Sequence, residues 1–326
     1  MSGDGGQSGE IARLRRMIED QNFAIETLGR QLDEVLLTQR LAAVADVDVL
    51  KFTGPPRRVE SNPTAQGAGN LLVVTAYLFV PRNLDRSAKH PLIVMPHGGV
   101  HSRFGAGAAN IVAELIAEGY VVVAPDYRGS TGYGRNFHEA IDYGGREVDD
   151  TDAARQVALD SLPFLDPARV GLVGWSHGGL IALFNIFDHP EAYAAAYTAV
   201  PVSDLVARMG YKPQGYRDAF SAPYHLGKTA DEDVAEYRRR SPSWQAHRYA
   251  GTPLLIHTTT NDEDVNVLEV ERLIQALTLQ GKPFAHKIYQ DAPGGHVFNR
   301  LDTPLARESR REAWDFLAEH LHPGNR

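Results

Sequence analysis

A serine hydroxyl attacks a carbonyl only when a neighbouring base takes its proton and a third group holds that base. One stretch of this chain is built to present such a serine: Val170-Gly171-Leu172-Val173-Gly174-Trp175-Ser176-His177-Gly178-Gly179. An apolar run ends at Gly174, and a glycine-rich corner carries Ser176. A helical apolar pattern (Leu180, Ile181, Leu183, Phe184, Ile186, Phe187) then begins at once. Strand, tight turn and helix in that order make Gly-x-Ser-x-Gly a nucleophile elbow. The glycines are needed because the serine backbone is strained and side chains two residues to either side would collide.

After such an elbow the acid comes next in the chain and the histidine last. Leu254-Leu255-Ile256-His257 reads as a strand, and Asp262 and Asp264 follow it as competing acids. The alternative for Asp262 is a cap on a helix starting near Val265. The next strand ends at Ile288-Tyr289, and Gly294-Gly295 then form a tight loop presenting His296 as the base. The oxyanion formed by attack needs backbone N–H groups aimed at one point. One is expected from His177. The other is expected from Gly99, with Gly98 close behind, in the loop Pro96-His97-Gly98-Gly99-Val100. His97 and His101 stand four residues apart, but the two glycines between them make a loop, which argues against a helical zinc pair. The turn Asp126 to Gly134 either lines the site or is a structural loop locked by Arg128.

These groups need a parallel sheet behind them. From Pro91 onward short apolar runs alternate with helical segments. The runs are Leu92–Met95, Tyr120–Ala124, Val170–Gly174, Ala195–Val200, Leu254–His257 and Phe284–Tyr289. The helical segments fall near 106–118, 147–161, 177–188, 265–280 and 305–321. That alternation predicts an α/β fold with a mainly parallel sheet and helices on both faces. Two earlier strands, Val47–Phe52 and Asn70–Val80, read as antiparallel additions at one edge. The stretch 204–250 breaks the rhythm and is expected to form a cap or lid.

Residues 1–45 form a separate N-terminal helical unit in this reading, and 46–326 the catalytic domain. Residues 1–9 are rich in glycine and serine and are expected to be disordered. Ile11, Leu14, Ile18, Ile25, Leu28, Leu32 and Val35 then follow a 3-4 spacing, with Gln21 in the one polar place. Such a seam fits a two-stranded coiled coil, hence a homodimer or higher even oligomer. Met17, Leu36 and Leu37 widen the stripe and favour packing on the chain's own domain instead.

Composition narrows the class. The formal net charge of −8 leaves no general basic face, so nucleic acid is not an expected partner. The absence of cysteine removes disulfides and thiolate chemistry. No run approaches the roughly 20 apolar residues of a membrane span, so no membrane partner and a cytoplasmic location are expected.

Pro96-His97-Gly98-Gly99, the Asp126–Gly134 turn, Gly174–Gly179, Ser241-Pro242, Asp262-x-x-Val265 and Gly295-His296 occur in an order and spacing that resembles the prolyl oligopeptidase family. The resemblance covers roughly 70–322, the α/β-hydrolase domain of that family. It implies Ser176 as nucleophile, Asp262 as acid and His296 as base. It also implies an acyl-enzyme formed from peptides, acylated amino acids or esters, without metal or organic cofactor. Three departures stand out. Only 90 residues precede Pro91, where many members carry a β-propeller. The acid loop reads His257-Thr258-Thr259-Thr260-Asn261, where the family usually has His-Gly and one residue fewer. His97 stands where some branches place an oxyanion tyrosine, which implies backbone donors as in esterases. The expected activity is that of a serine hydrolase on a small ester, amide or peptide. Acyl transfer or cyclisation by the same triad, and a non-catalytic scaffold, are the alternatives.

Overall fold

A computed structural model describes residues 4–57 and 71–324. The loop read between the first two strands lies largely outside the described residues. Eight strands form one sheet: β1 (Ala45–Pro56), β2 (Leu71–Pro81), β3 (His90–Val94), β4 (Val121–Asp126), β5 (Leu165–Trp175), β6 (Ala195–Ala199), β7 (Leu254–Thr259) and β8 (Ala285–Tyr289). Their spatial order is β1-β2-β4-β3-β5-β6-β7-β8. β1 with β2 and β2 with β4 pair antiparallel, and every later pair is parallel. The antiparallel pairs stand at one edge, as the alternation in the sequence predicts.

Eleven α-helices are described, α1 (Asp4–Leu41), α2 (Ala109–Glu118), α3 (Arg135–His138), α4 (Arg146–Ser161), α5 (His177–Asp188), α6 (Leu205–Tyr211), α7 (Gln214–Ser221), α8 (Val234–Arg239), α9 (Pro242–Gln245), α10 (Val267–Thr278) and α11 (Pro304–Leu321), with short 3-10 helices at Ala106–Ala108, Ala246–Arg248 and Gly295–Arg300. None of them is long and apolar enough to cross a membrane.

Side-chain alternation along the strands builds two cores. Leu92, Val94 and Leu172 join α5 and α10 on one face, whereas Ile93, Met95 and Val173 join α2 and α11 on the other. Every residue named here is buried, as a sheet covered by helices on both faces requires.

α1 extends back to Asp4, where glycine and serine pointed to disorder. Its C-terminal half packs on the chain's own domain through one face. Leu37 and Leu41 enter the second core, Asp33 pairs with Arg103 at 2.6 Å, Arg30 donates to Gly132 O, and Phe23 meets His138 edge-on. The heptad residues lie on the opposite side. Ile11, Leu14, Ile18, Ile25, Leu28, Leu32 and Val35 are 45–66% exposed. One helix therefore carries two stripes, which the sequence presents as a single broadened one.

Candidate active site

β5 delivers its chain directly into α5, and Ser176 occupies the corner between them with φ 57 and ψ −120. Non-glycine residues avoid that region at a cost of about 1–3 kcal/mol, and the surrounding packing imposes it here. A Cβ at Gly174 would lie 2.2 Å from Gly178 O, and one at Gly178 would lie 2.3 Å from Pro96 O. Bare backbone is therefore required on both sides of the serine. Ser176 is itself buried, and its N–H donates to Ala199 O at 3.0 Å.

The loop after β3 runs against this corner. A Cβ at Gly98 would lie 2.9 Å from Trp175 O and 3.4 Å from Ser176 Cβ, and Gly99 adopts φ +75. Tyr127 clamps the loop from the end of β4. Its hydroxyl donates to His97 O at 2.9 Å, lies 3.2 Å from Gly99 O, and its ring stacks on His97 at 4.2 Å. Burial pushes the His97 imidazole down to about 3, so it stays neutral. His177 opens α5, so its backbone N–H has no acceptor inside the helix. Its ring lies buried on Tyr143, and neither ring nitrogen has a hydrogen-bond partner.

The acid loop follows β7. Asp262 is 5% exposed and fully committed: Oδ1 accepts from the N–H groups of Asp264 and Val265 at 2.8 Å, while Oδ2 lies 2.8 Å from His296 Nδ1. The cap alternative is settled by α10, which starts at Val267 with Asn266 as its cap. Asp262 instead closes the turn with one oxygen and meets the histidine with the other. Asp264 also reaches the ring, from the other side, with Oδ2 at 3.4 Å from Nε2. Its Oδ1 is held by Lys212 and by Arg208 at 3.1 Å. Among the described residues no hydrogen bond joins Ser176 Oγ to His296. The imidazole thus rests between two carboxylates, beside an open cleft of about 490 Å³ that Lys212 and Glu263 also line.

Both readings of the Asp126–Gly134 turn hold in part. Arg128 is fully buried, pairs with Asp150 and donates to the carbonyls of Pro55 and Pro56, which makes it a lock. Tyr127 and Ser130 instead touch His97 and so support the loop beside Ser176. The stretch 204–250 folds as α6–α9. Arg208, 3% exposed, ties it to Glu269 and Asp264. Arg208 drew no notice in the sequence, because its partners lie across loops rather than at a fixed spacing.

A model of the prolyl oligopeptidase family matches residues 108–324. The uncharacterized peptidase YuxL of Bacillus subtilis (strain 168) is 32% identical over 241 residues, 73% of this chain and 36% of that protein. The acylamino-acid-releasing enzyme of Homo sapiens is 34% identical over 280 residues, 83% of this chain and 36% of that protein. The chain thus spans little more than a third of these two relatives. Among solved structures, an acylaminoacyl peptidase in complex with Z-Gly-Gly-Phe-chloromethyl ketone matches with a TM-score of 0.69 at 19% identity, covering 84% of this chain and 41% of that one. A Mycobacterium tuberculosis puromycin-hydrolyzing peptidase matches with a TM-score of 0.66 at 26% identity, covering 82% and 40%.

Proposed function

The chain belongs to the prolyl oligopeptidase family, and from that premise we propose that it hydrolyses short peptides or small esters through an acyl-enzyme on Ser176. The observation that carries this reading is the 2.8 Å contact between His296 Nδ1 and Asp262 Oδ2, on loops after β7 and β8 of the same sheet whose β5 ends at a serine held at φ 57. Asp262 fixes the tautomer that leaves Nε2 free to accept a proton. His296 swings from Asp264 towards Ser176 and takes the hydroxyl proton as Oγ attacks the carbonyl. The N–H groups of Gly99 and His177 receive the oxyanion. His296 then protonates the leaving group, and water repeats the sequence on the acyl-enzyme. Replacing water by another nucleophile would give acyl transfer, which product analysis with added amines distinguishes.

Ser176→Ala tests the assignment. Turnover of p-nitrophenyl esters and aminoacyl anilides should fall below about a hundredth of wild type, with loss of labelling by a fluorophosphonate probe. A folded variant that keeps more activity refutes the nucleophile.

The exposed seam of α1 favours assembly through that helix. Seven apolar residues facing water at 3-4 spacing match the a and d positions of a two-stranded coil, and a second copy of the same helix is the partner that complements them. Residues 1–45 then act as the assembly unit, 46–326 as the catalytic domain and 204–250 as its cap.

A further inference from the structure

A second cavity, about 390 Å³ in volume, opens beside the serine corner. Its walls include Met95, Gly98, Phe104, Ile111, Trp175 and Arg300. Gly98 and Trp175 place it next to the proposed nucleophile: Trp175 precedes Ser176 in the chain, and a Cβ at Gly98 would lie 3.4 Å from Ser176 Cβ. Met95, Phe104, Ile111 and Trp175 give it an apolar wall.

Two arginines reach this space, and they differ. Arg103 is neutralised by Asp33 at 2.6 Å. Arg300 makes one hydrogen bond, from Nη2 to His296 O at 3.2 Å, while its Nε is shielded from water and has no acceptor. No carboxylate of a described residue forms an ion pair with it. Burial works against its charge, and the more distant carboxylates of Asp262 and Asp264 only partly offset that. A guanidinium offers five donors in a planar fork. Leaving buried donors unused is costly, and a carboxylate matches the fork with two parallel bonds.

We propose that this cavity is a substrate subsite for a carboxylate, bound by Arg300, with Met95, Phe104, Ile111 and Trp175 taking the carbon chain that carries it. The proposal rests on the hydrolase reading and sharpens its substrate class to molecules bearing an anionic group a short chain from the scissile carbonyl. That group belongs either to the acyl part, as in a dicarboxylic monoacyl ester, or to the leaving part, as in a peptide with a free C-terminus.

Two matched pairs separate these sources. Mono-p-nitrophenyl succinate against p-nitrophenyl butyrate tests the acyl side. Acetyl-Ala-Ala with a free carboxylate against its amide tests the leaving side. The wild-type enzyme should prefer the carboxylate in one pair by about 10- to 100-fold in kcat/KM, mostly through KM. Arg300→Met should erase that preference by lowering kcat/KM on the charged member about 10- to 100-fold more than on the neutral one, and Arg300→Lys should restore part of it. No carboxylate preference in either pair overturns the proposal. So does an equal loss on charged and neutral substrates in Arg300→Met, which would make Arg300 only a brace for the His296 loop. Labelling of wild-type Ser176 by the fluorophosphonate probe keeps the two readings apart: labelling without carboxylate preference sinks the subsite alone, whereas no labelling sinks the hydrolase reading beneath it.

Discussion

Gly178→Ala probes whether the serine corner and the loop after β3 must touch. The added methyl would lie 2.3 Å from Pro96 O, about 1 Å short of ordinary contact, and 2.9 Å from His97 O, about 0.5 Å short. Both obstacles are backbone, so neither can swing aside as a flexible side chain would. Either the loop retreats or α5 does, and each motion separates Ser176 from the N–H of Gly99. A misplacement of about 1 Å costs roughly 100-fold in rate when donors and nucleophile must converge. The overpacking itself should cost about 1–3 kcal/mol of stability, which the fold survives. The assay is kcat/KM on a p-nitrophenyl ester alongside urea denaturation, with Gly215→Ala as control, because nothing lies within 4 Å of a Cβ there. A folded Gly178→Ala protein that keeps more than about a third of wild-type kcat/KM refutes the reasoning, for the loop would then have no part in holding the oxyanion.

Asp262→Asn should lower kcat by orders of magnitude by losing the partner of His296 Nδ1, whereas Asp264→Asn should be mild, since it weakens the Arg208 and Lys212 pairs and frees Nε2 but leaves the Nδ1 partner in place; the opposite ranking in two folded proteins would move the acid role to Asp264. Burial holds His97, His101 and His257 down to about 3, 4 and 4. Below about pH 6.5 the unfolded chain binds protons there that the folded chain does not, so stability falls as pH drops towards 4, by up to about 2 kcal/mol per histidine at pH 5. Asp126, held up to about 7 by burial, opposes this in part, because its folded form takes up a proton as pH falls from 7; urea midpoints unchanged between pH 7.5 and 5 would contradict the net loss. Ile25→Glu with Leu32→Glu, both on the exposed seam, should convert an even oligomer to monomers in light scattering without loss of ester hydrolysis. A wild-type monomer would refute assembly through α1. Deleting residues 1–40 should also lower activity, because Asp33 and Arg30 brace the loops around Arg103 and Gly132.

Much of the sheet was legible because each buried strand is a short apolar run bounded by turn residues, and parallel strands are covered on both faces. β5 is the instructive exception. It begins at Leu165, five residues before the apolar run, because Leu165 pairs with His90 ahead of a register shift. Asp166-Pro167 looks like a turn and is one strand segment in an irregular ladder. The places of Ser176, Asp262 and His296 after β5, β7 and β8 were legible because chain order and strand context are dictated by the sheet. What surrounds them was not. Asp264 reaches Nε2 only because Arg208 and Lys212 hold its other oxygen, a contact made across more than fifty residues. The four short helices of 205–245 carry too few turns for any apolar period to emerge. The two stripes of α1 merged in the sequence because Leu36 and Leu37 directly follow the last seam residue, Val35, and only packing distinguishes the faces.

The conformation of Ser176 carries a consequence for how such a protein changes over time. At φ 57 and ψ −120 the residue that best suits the backbone is glycine, while the proposed chemistry demands a hydroxyl. Fold and function therefore ask for different residues at one position, and random substitution there is not neutral in either direction. A chain released from catalysis would gain stability by drifting to glycine at the corner. Stabilising screens that ignore activity should be drawn to the same change, so a library selected only for heat resistance would tend to lose the Ser176 hydroxyl.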